Sequence, residues 1–436
     1  MAGNDGSQGA EVQPLLATVA FAGEGDQLES GLIEDKDALE RALVWKLDKR
    51  MSILVLIYIL NYMDRNNASA ARLRGFEEDL HLEGSQFATV LSILYIGYVS
   101  MQIPSNMFLN HFGKPSKYLP LCMTIWGALS LITGFATSYF HVLCIRFFLG
   151  FVEAAFFPGA LFLISKWYTR HELSQRTAFL SCGILLSNAF GSLIASGILN
   201  SMDGVLLGYT AWRWLFFVEG SITILVAIWS MFILPDFPEN SSNWLTPAEK
   251  ALALERVARD TVDISVQNAA AIYGTSSGKL LGRWPGLYLA VTDWKVWWLA
   301  VALFFMVAAL SFGVYFPTLA ATMGYGPIVS LLLCAPPWLF ATAVALVVSR
   351  HSDKVEERSK HICSSLLAGI FGFILAMSSM NTIVRYISLF FMAQTYAAFI
   401  CFLAWASGSV SHPPAKRAVA LALINCVSQL GNVVGA

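Results

Sequence analysis

The run Met51-Ser-Ile-Leu-Val-Leu-Ile-Tyr-Ile-Leu-Asn-Tyr-Met-Asp-Arg-Asn-Asn-Ala-Ser-Ala-Ala71 sets an acid beside a base, Asp64 and Arg65, inside an apolar segment. It is long enough to cross the hydrocarbon core of a bilayer, which takes about 20 apolar residues. An ionisable side chain inside such a span costs several kcal/mol unless it is paired or faces water. The segment therefore reads as a membrane helix that carries function.

Reading outward, further apolar segments recur near Gln86–Leu109, Tyr118–Thr137, His141–Trp167, Thr177–Leu199 and Trp212–Leu234, and again near Trp294–Leu319, Ile328–Val348, Ile362–Ser379, Tyr386–Ala406 and Ala418–Ala436. The chain then divides into a disordered cytoplasmic tail (1–45), a six-helix N-terminal half (46–234), a cytoplasmic central loop with a short helix (235–290) and a C-terminal half (291–436). The composition agrees. The 436 residues are 56% hydrophobic and 13% charged, with a mean hydropathy of +0.60. A soluble domain carries about twice that charged fraction. The net charge of -1 leaves no concentrated basic face for nucleic acid. The expected class is an all-α, multi-pass membrane protein whose immediate surroundings are the lipid bilayer.

Residues 1–40 are acidic, Gly/Ser/Glu-rich and without hydrophobic periodicity, which predicts a solvated tail. Its Glu11-Val-Gln-Pro-Leu15-Leu16 has the form of an acidic dileucine sorting signal. In the central loop, Thr246-Pro247-Ala248-Glu249 has the form of a capping box with Pro at the first helical position, so a short amphipathic helix is expected there. Asp260 to Gly286 is Gly/Ser-rich and expected to be a linker. Lys46, Lys49, Arg50, Lys114, Lys117, Lys166, Arg170, Arg176, Arg350, Lys354, Arg358, Lys360, Lys416 and Arg417 fall in alternate short loops, which puts the N-terminus and the central loop in the cytoplasm.

The chemistry rests on a few charges inside spans. Asn61, Tyr62 and Arg65 share one helical face, and a guanidinium is a planar fork that grips a carboxylate. They form the candidate substrate-binding face, the alternative being an Arg65 that snorkels to lipid phosphate at the membrane edge. Arg146 and Glu153, in the fourth span, are two turns or about 10.5 Å apart, too far for a bridge within their helix. Each needs a partner elsewhere, and Glu153 is the candidate proton carrier, against a static salt bridge. Glu219 is expected to pair structurally with a basic residue of its own half. Asp64 is expected to set the Arg65 rotamer or to close an external gate. The seven cysteines and seven histidines show no metal-ligand spacing, and no catalytic set is visible. No enzyme activity, metal or cofactor is expected.

These residues lie in stretches that carry a resemblance: Asn61-Tyr-Met-Asp-Arg-Asn-Asn67, Gly97-Tyr-Val-Ser-Met-Gln-Ile-Pro104, Arg146-Phe-Phe-Leu-Gly150-Phe-Val-Glu153, Trp212-Arg-Trp-Leu-Phe-Phe-Val-Glu219 and Leu234-Pro-Asp-Phe-Pro-Glu239. The chain resembles the major facilitator superfamily, within it the anion:cation symporter family, and more narrowly the fungal allantoate permease branch. The resemblance implies two six-helix halves rocking about a midplane site. About eleven spans are counted, so the C-terminal half is expected to be truncated.

By the same resemblance, Tyr62 and Arg65 contact the substrate's carboxylate, and Arg146 and Glu153 serve proton coupling. Arg350-His-Ser-Asp353-Lys354-Val-Glu-Glu-Arg358 looks like the superfamily's gating loop, with Asp353, Arg350 and Arg358 as gating residues; the alternative is an ordinary positive-inside anchor. The equivalent loop at His111 to Lys117 lacks the Asp. The implied activity is proton-coupled symport of a small organic anion, nicotinate-, allantoate- or pantothenate-like, by a monomer in a fungal plasma membrane or, alternatively, a vacuolar or endosomal one. The rival expectations are a nutrient sensor without transport, an anion exchanger and a non-functional truncated product.

Overall fold

The computed structural model describes residues 12–202, 208–240, 244–256, 285–410 and 414–435, and among these the secondary structure is entirely helical. Residues 257–284, most of the expected linker, and the start of the dileucine pattern at Glu11 lie outside the described residues.

The first half is built from α1 (Val12–Arg72), a short α2 (Phe76–Asp79), α3 (Gln86–Phe112), α4 (Pro115–Thr133), α5 (Tyr139–Glu153), α6 (Phe156–Trp167), α7 (Arg170–Ser201) and α8 (Ala211–Ile233). A helix over 247–256, α9, follows. The second half holds α10 (Pro285–Val291), α11 (Trp294–Leu310), α12 (Phe316–Ala321), α13 (Pro327–Val355), α14 (Ser359–Ser378), α15 (Thr382–Ala393), α16 (Tyr396–Ser409) and α17 (Pro414–Gly435). Within the halves α4 packs on α8, α3 on α5, and α11 on α17; between them α7 packs on α13 and α3 on α17. Among the described residues, seven helical segments are long and apolar enough to cross a membrane. The membrane part of α1 is not one of them, because Asn61, Asp64, Arg65, Asn66 and Asn67 dilute its apolar run.

Three expected spans are interrupted. The fourth breaks between α5 and α6, where Pro158 has no N–H to give the carbonyl of Ala154. The seventh passes through a 3₁₀ turn at Ser311–Tyr315 before Pro317, which likewise leaves the carbonyl of Gly313 without its helical donor. The tenth breaks at Gln394, whose side chain donates to the carbonyl of Ser365 on α14 at 2.9 Å.

At the N-terminal end, α1 is helical from Val12. Leu39, Leu43 and Leu47, one turn apart, dock the stretch that enters the bundle: Leu43 and Leu47 are fully buried and Leu39 packs against the same core. Charge fixes the register. Arg256 of α9 bridges Glu40 at 2.8 Å and Glu172 of α7 at 2.8 Å, and Lys36 meets Glu255 at 3.2 Å. The expected capping box starts α9: Glu249 N–H donates to Thr246 Oγ1 at 3.2 Å, and Thr246 N–H donates to Glu249 Oε2 at 2.9 Å. Burial tends to raise the Glu249 pKa, but hydrogen bonds from Lys46 and the Thr246 N–H outweigh it and hold the carboxyl below its ordinary value.

These contacts gather the basic loops at one end of the bundle, here called the basic end. At the opposite, far end, Leu331, Val314 and Tyr315 of the second half pack against a first-half cluster that includes Ala68, Ala71 and Phe76. The cavities described below lie beneath that seal.

Candidate functional site

The polar run of α1 enters the first half between α7 and α8, and its two charges diverge. Arg65 is 5% exposed and turns to α5, where Nε and Nη2 both donate to Glu153 Oε2, at 2.9 and 2.6 Å. Three phenol rings surround the guanidinium, with Cζ 4.7 Å from the Tyr62 ring centre, 5.0 Å from Tyr98 and 5.8 Å from Tyr95. Arg65 is therefore no lipid-facing snorkel. Arg146, two turns before Glu153 on α5, donates Nη1 to the backbone carbonyl of Arg65 at 2.9 Å. One helix thus grips the Arg65 side chain through Glu153 and its backbone through Arg146. The grip is incomplete: Arg146 Nε and Nη2 are buried without hydrogen-bond partners, and Asn61 is the one polar neighbour beside Arg65 that reaches the Glu153 carboxylate.

The close approach of α3 and α5 that places Tyr95 and Tyr98 beside this pair depends on glycine. A Cβ at Gly150 would land on the carbonyl of Leu94, and one at Gly97 on the carbonyl of Phe147. Small residues at such crossings let backbones of membrane helices meet.

Asp64 takes a different direction from the one expected. It is fully buried and accepts from Ser130 on α4 at 2.8 Å and from Thr223 on α8 at 2.8 Å, so it ties three helices together inside the first half and orients no bond to Arg65. Glu219 also departs from expectation. It is 1% exposed, and its polar neighbour is the Asn67 amide of α1 rather than a basic residue. The nearest arginine in sequence, Arg213, donates instead to the carbonyls of Gly134 and Ala136, at 2.9 and 2.8 Å, where α4 ends.

At the basic end, Asp353 accepts from Arg358 at 2.9 Å across the turn between α13 and α14, which Glu356 makes with a left-handed φ of 57°. Arg350, beside it, is exposed. In the first half the acceptor missing from the loop before α4 comes from far along the chain: Asp236 Oδ1 accepts from the Ser116 N–H at 3.2 Å, in the first turn of α4. A carboxylate there meets the positive end of the helix dipole.

Between the halves lies a cavity of about 60 Å³ whose walls include Tyr62, Tyr95, Asn66, Asn188, Gln429 and Asn432. Arg65 and Glu153 do not line it. They sit behind Tyr62 and Tyr95, whose rings face both the guanidinium and the cavity. The sequence reading passed over the amides Asn66, Asn188, Gln429 and Asn432; their presence inside apolar segments was the available signal.

Three comparisons bear on this arrangement. A family profile described as Major Facilitator Superfamily matches residues 54–436. The chain is similar to the MFS-type transporter cnsO of Penicillium expansum, 31% identical, over 90% of this chain and 76% of that protein. It is also similar to a candidate tartrate transporter of Agrobacterium vitis, 28% identical, over 93% of this chain and 86% of that one. Among solved structures, a bacterial homolog of the human lysosomal transporter Spinster, inward-facing and unoccupied, superposes with a TM-score of 0.66 at 18% identity, covering 89% of this chain and 81% of that one. At that identity the match speaks for the fold alone.

Proposed function

Because the chain belongs to the Major Facilitator Superfamily and is thus a multi-pass secondary transporter rather than an enzyme, we propose that it is a proton-coupled symporter of a small organic anion, with Glu153 as proton carrier and Arg65 as the partner of the substrate's carboxylate. One observation carries this reading: a single guanidinium, sealed from solvent, donates two hydrogen bonds to one oxygen of a buried carboxylate. A substrate carboxylate and Glu153 compete for the same fork.

The competition has a defined sense. Arg65 is buried, and leaving it without a counter-charge costs about 3–5 kcal/mol. Protonation of Glu153 removes its charge and releases Arg65, which then favours a substrate carboxylate as replacement. The net charge around the guanidinium is the same before and after, so proton and anion enter together. Loss of the proton on the other side restores the Arg65–Glu153 pair and expels the anion. Tyr62 moves aside to admit the carboxylate, while Arg146 holds the α1 backbone in place. In this scheme Asp64 and Glu219 are structural, and the Asp353–Arg358 pair braces the gating loop.

The loops rich in Lys and Arg support a cytoplasmic basic end, and fungal relatives such as the Penicillium expansum transporter support a fungal membrane, for which we favour the plasma membrane. The tartrate-type relative and the Tyr62/Arg65 pair support a carboxylate substrate, of the nicotinate, allantoate or pantothenate kind. The test is uptake of radiolabelled carboxylates by cells expressing the chain. Uptake by the parent rises as external pH falls and is lost or made pH-independent in Glu153→Gln. Identical pH profiles for parent and variant would overturn the coupling, and dependence on internal anion instead of a proton gradient would make the protein an exchanger.

A further inference from the structure

The central cavity does not end at Asn66 and Asn188. Those two side chains, joined by a 2.8 Å hydrogen bond from Asn66 Nδ2 to Asn188 Oδ1, line both it and a second, smaller chamber of about 40 Å³. The second chamber also includes Ser69, Leu331 and Trp338, residues on the far-end side of the bundle. Its walls differ in kind. Asn67 and Ser69 of α1 and Ser187 of α7 make one side polar; Phe316, Leu331 and Trp338 of the second half make the other apolar. Neither chamber has a charged residue in its lining.

The polar side is not satisfied by the protein. Ser69 Oγ and Ser187 Oγ, in residues 3% and 1% exposed, have no hydrogen-bond partner, although a buried hydroxyl in a helix commonly bonds its own backbone. Ser192 and Ser330 do so nearby. A buried polar atom without a partner is costly, and in a native protein it calls for a ligand or another explanation.

We infer that the second chamber is a subsite for an uncharged, hydrogen-bonding group of the transported anion, so that the substrate class is a monocarboxylate whose opposite end bears hydroxyl or carboxamide groups on one side and hydrocarbon on the other. This rests on the reading of Arg65 as the carboxylate's partner. With the carboxylate drawn to Arg65, the rest of the molecule extends past Asn66 and Asn188. Its hydroxyl or amide takes up the bonds left open by Ser69 and Ser187, and its hydrocarbon lies against Phe316, Leu331 and Trp338. A second ionised group is rejected because no counter-charge lines the chamber. A purely alkyl end is disfavoured because it leaves the serine hydroxyls unpaired, the basis on which polar sites discriminate against analogues lacking a hydroxyl.

The experiment uses the purified full chain and four acids on one six-carbon skeleton: hexanoate, ω-hydroxyhexanoate, ω-aminohexanoate and adipate. Affinity is read by the ligand-induced rise in thermal midpoint across a concentration series at one acidic pH. The hydroxy acid is expected to bind about tenfold or more tighter than hexanoate, and the amino acid and the diacid more weakly than either. In the Ser69→Ala/Ser187→Ala double variant the hydroxy acid falls to the level of hexanoate, which itself binds as it does to the parent. Equal binding of the alkyl and hydroxy acids by the parent, or preference for adipate, would overturn the subsite while leaving the carboxylate reading intact. Binding of none of the four acids would remove the carboxylate reading and the subsite with it.

Discussion

Replacing Glu153 by Gln removes the counter-charge of a guanidinium that is 5% exposed and held at 2.6 and 2.9 Å. Breaking a buried pair in this way costs about 3–5 kcal/mol, because the remaining ion keeps its desolvation penalty and loses the compensating attraction. Three tyrosine faces remain around Arg65 and offset part of it, each up to about 2 kcal/mol when desolvated, so the lower end of the range is expected. Arg65→Gln should cost a similar amount, stranding Glu153. The double variant Arg65→Gln/Glu153→Gln buries no charge, and two amides can share a hydrogen bond; it should be more stable than either single variant. Thermal unfolding of the purified protein measures this, at roughly 1–2 °C per kcal/mol when the known size scaling is extended to this length. Single variants should then lose several degrees, and the double variant should recover part of that loss. A double variant whose loss equals the sum of the two single losses would refute the pairing.

Three further outcomes follow from other parts of the fold. Gly150→Ala forces a methyl onto the carbonyl of Leu94; overpacking of this kind costs about 1–3 kcal/mol, and it should lower both the thermal midpoint and the yield of folded protein in detergent. Glu219→Gln should change the thermal midpoint little, since no cation faces Glu219 and the amide keeps its shape; a loss as large as that of Glu153→Gln would show that its charge is needed. Since folding lowers the Glu249 pKa, its contribution is complete above the unfolded carboxyl pKa and lost as pH falls through the folded one. Proteolysis near α9 should therefore accelerate with acidification through that range in the parent, and Glu249→Gln should be fast already at neutral pH.

The sequence made the helices and the chemical kinds of residue legible, but not the directions side chains take. Asn61 to Arg65 stood out because polar groups are rare in apolar spans, and helical spacing alone ruled out an Arg146–Glu153 bridge. Which helix would supply the partner depended on the crossing of α1 and α5, a tertiary fact with no local signal. Asp64 and Arg65 are adjacent, yet they point to different helices, because successive helical residues are turned about 100° apart. That no arginine pairs with Glu219 was hidden for the same reason: Arg213, its nearest arginine in sequence, is drawn to carbonyls at the end of α4. The N-terminal helix carries little local signal because acidic and glycine residues lower its average hydrophobicity, while the Leu39, Leu43 and Leu47 stripe that docks it is only two turns long. The Asp236 contact joins residues 120 apart in the chain, beyond the reach of any motif in the loop it completes.

The central claim is that one proton on Glu153 admits one carboxylate to Arg65. Proton uptake on ligand binding tests it directly: purified protein in weakly buffered solution with a pH-sensitive dye is titrated with each of tartrate, nicotinate, allantoate and pantothenate, and the acid that binds is carried forward. The account predicts that binding near neutral pH takes up protons from solution, that affinity weakens as pH rises, and that Glu153→Gln binds the same acid with no proton uptake. Binding by the parent without proton uptake, or uptake unchanged in Glu153→Gln, would contradict it.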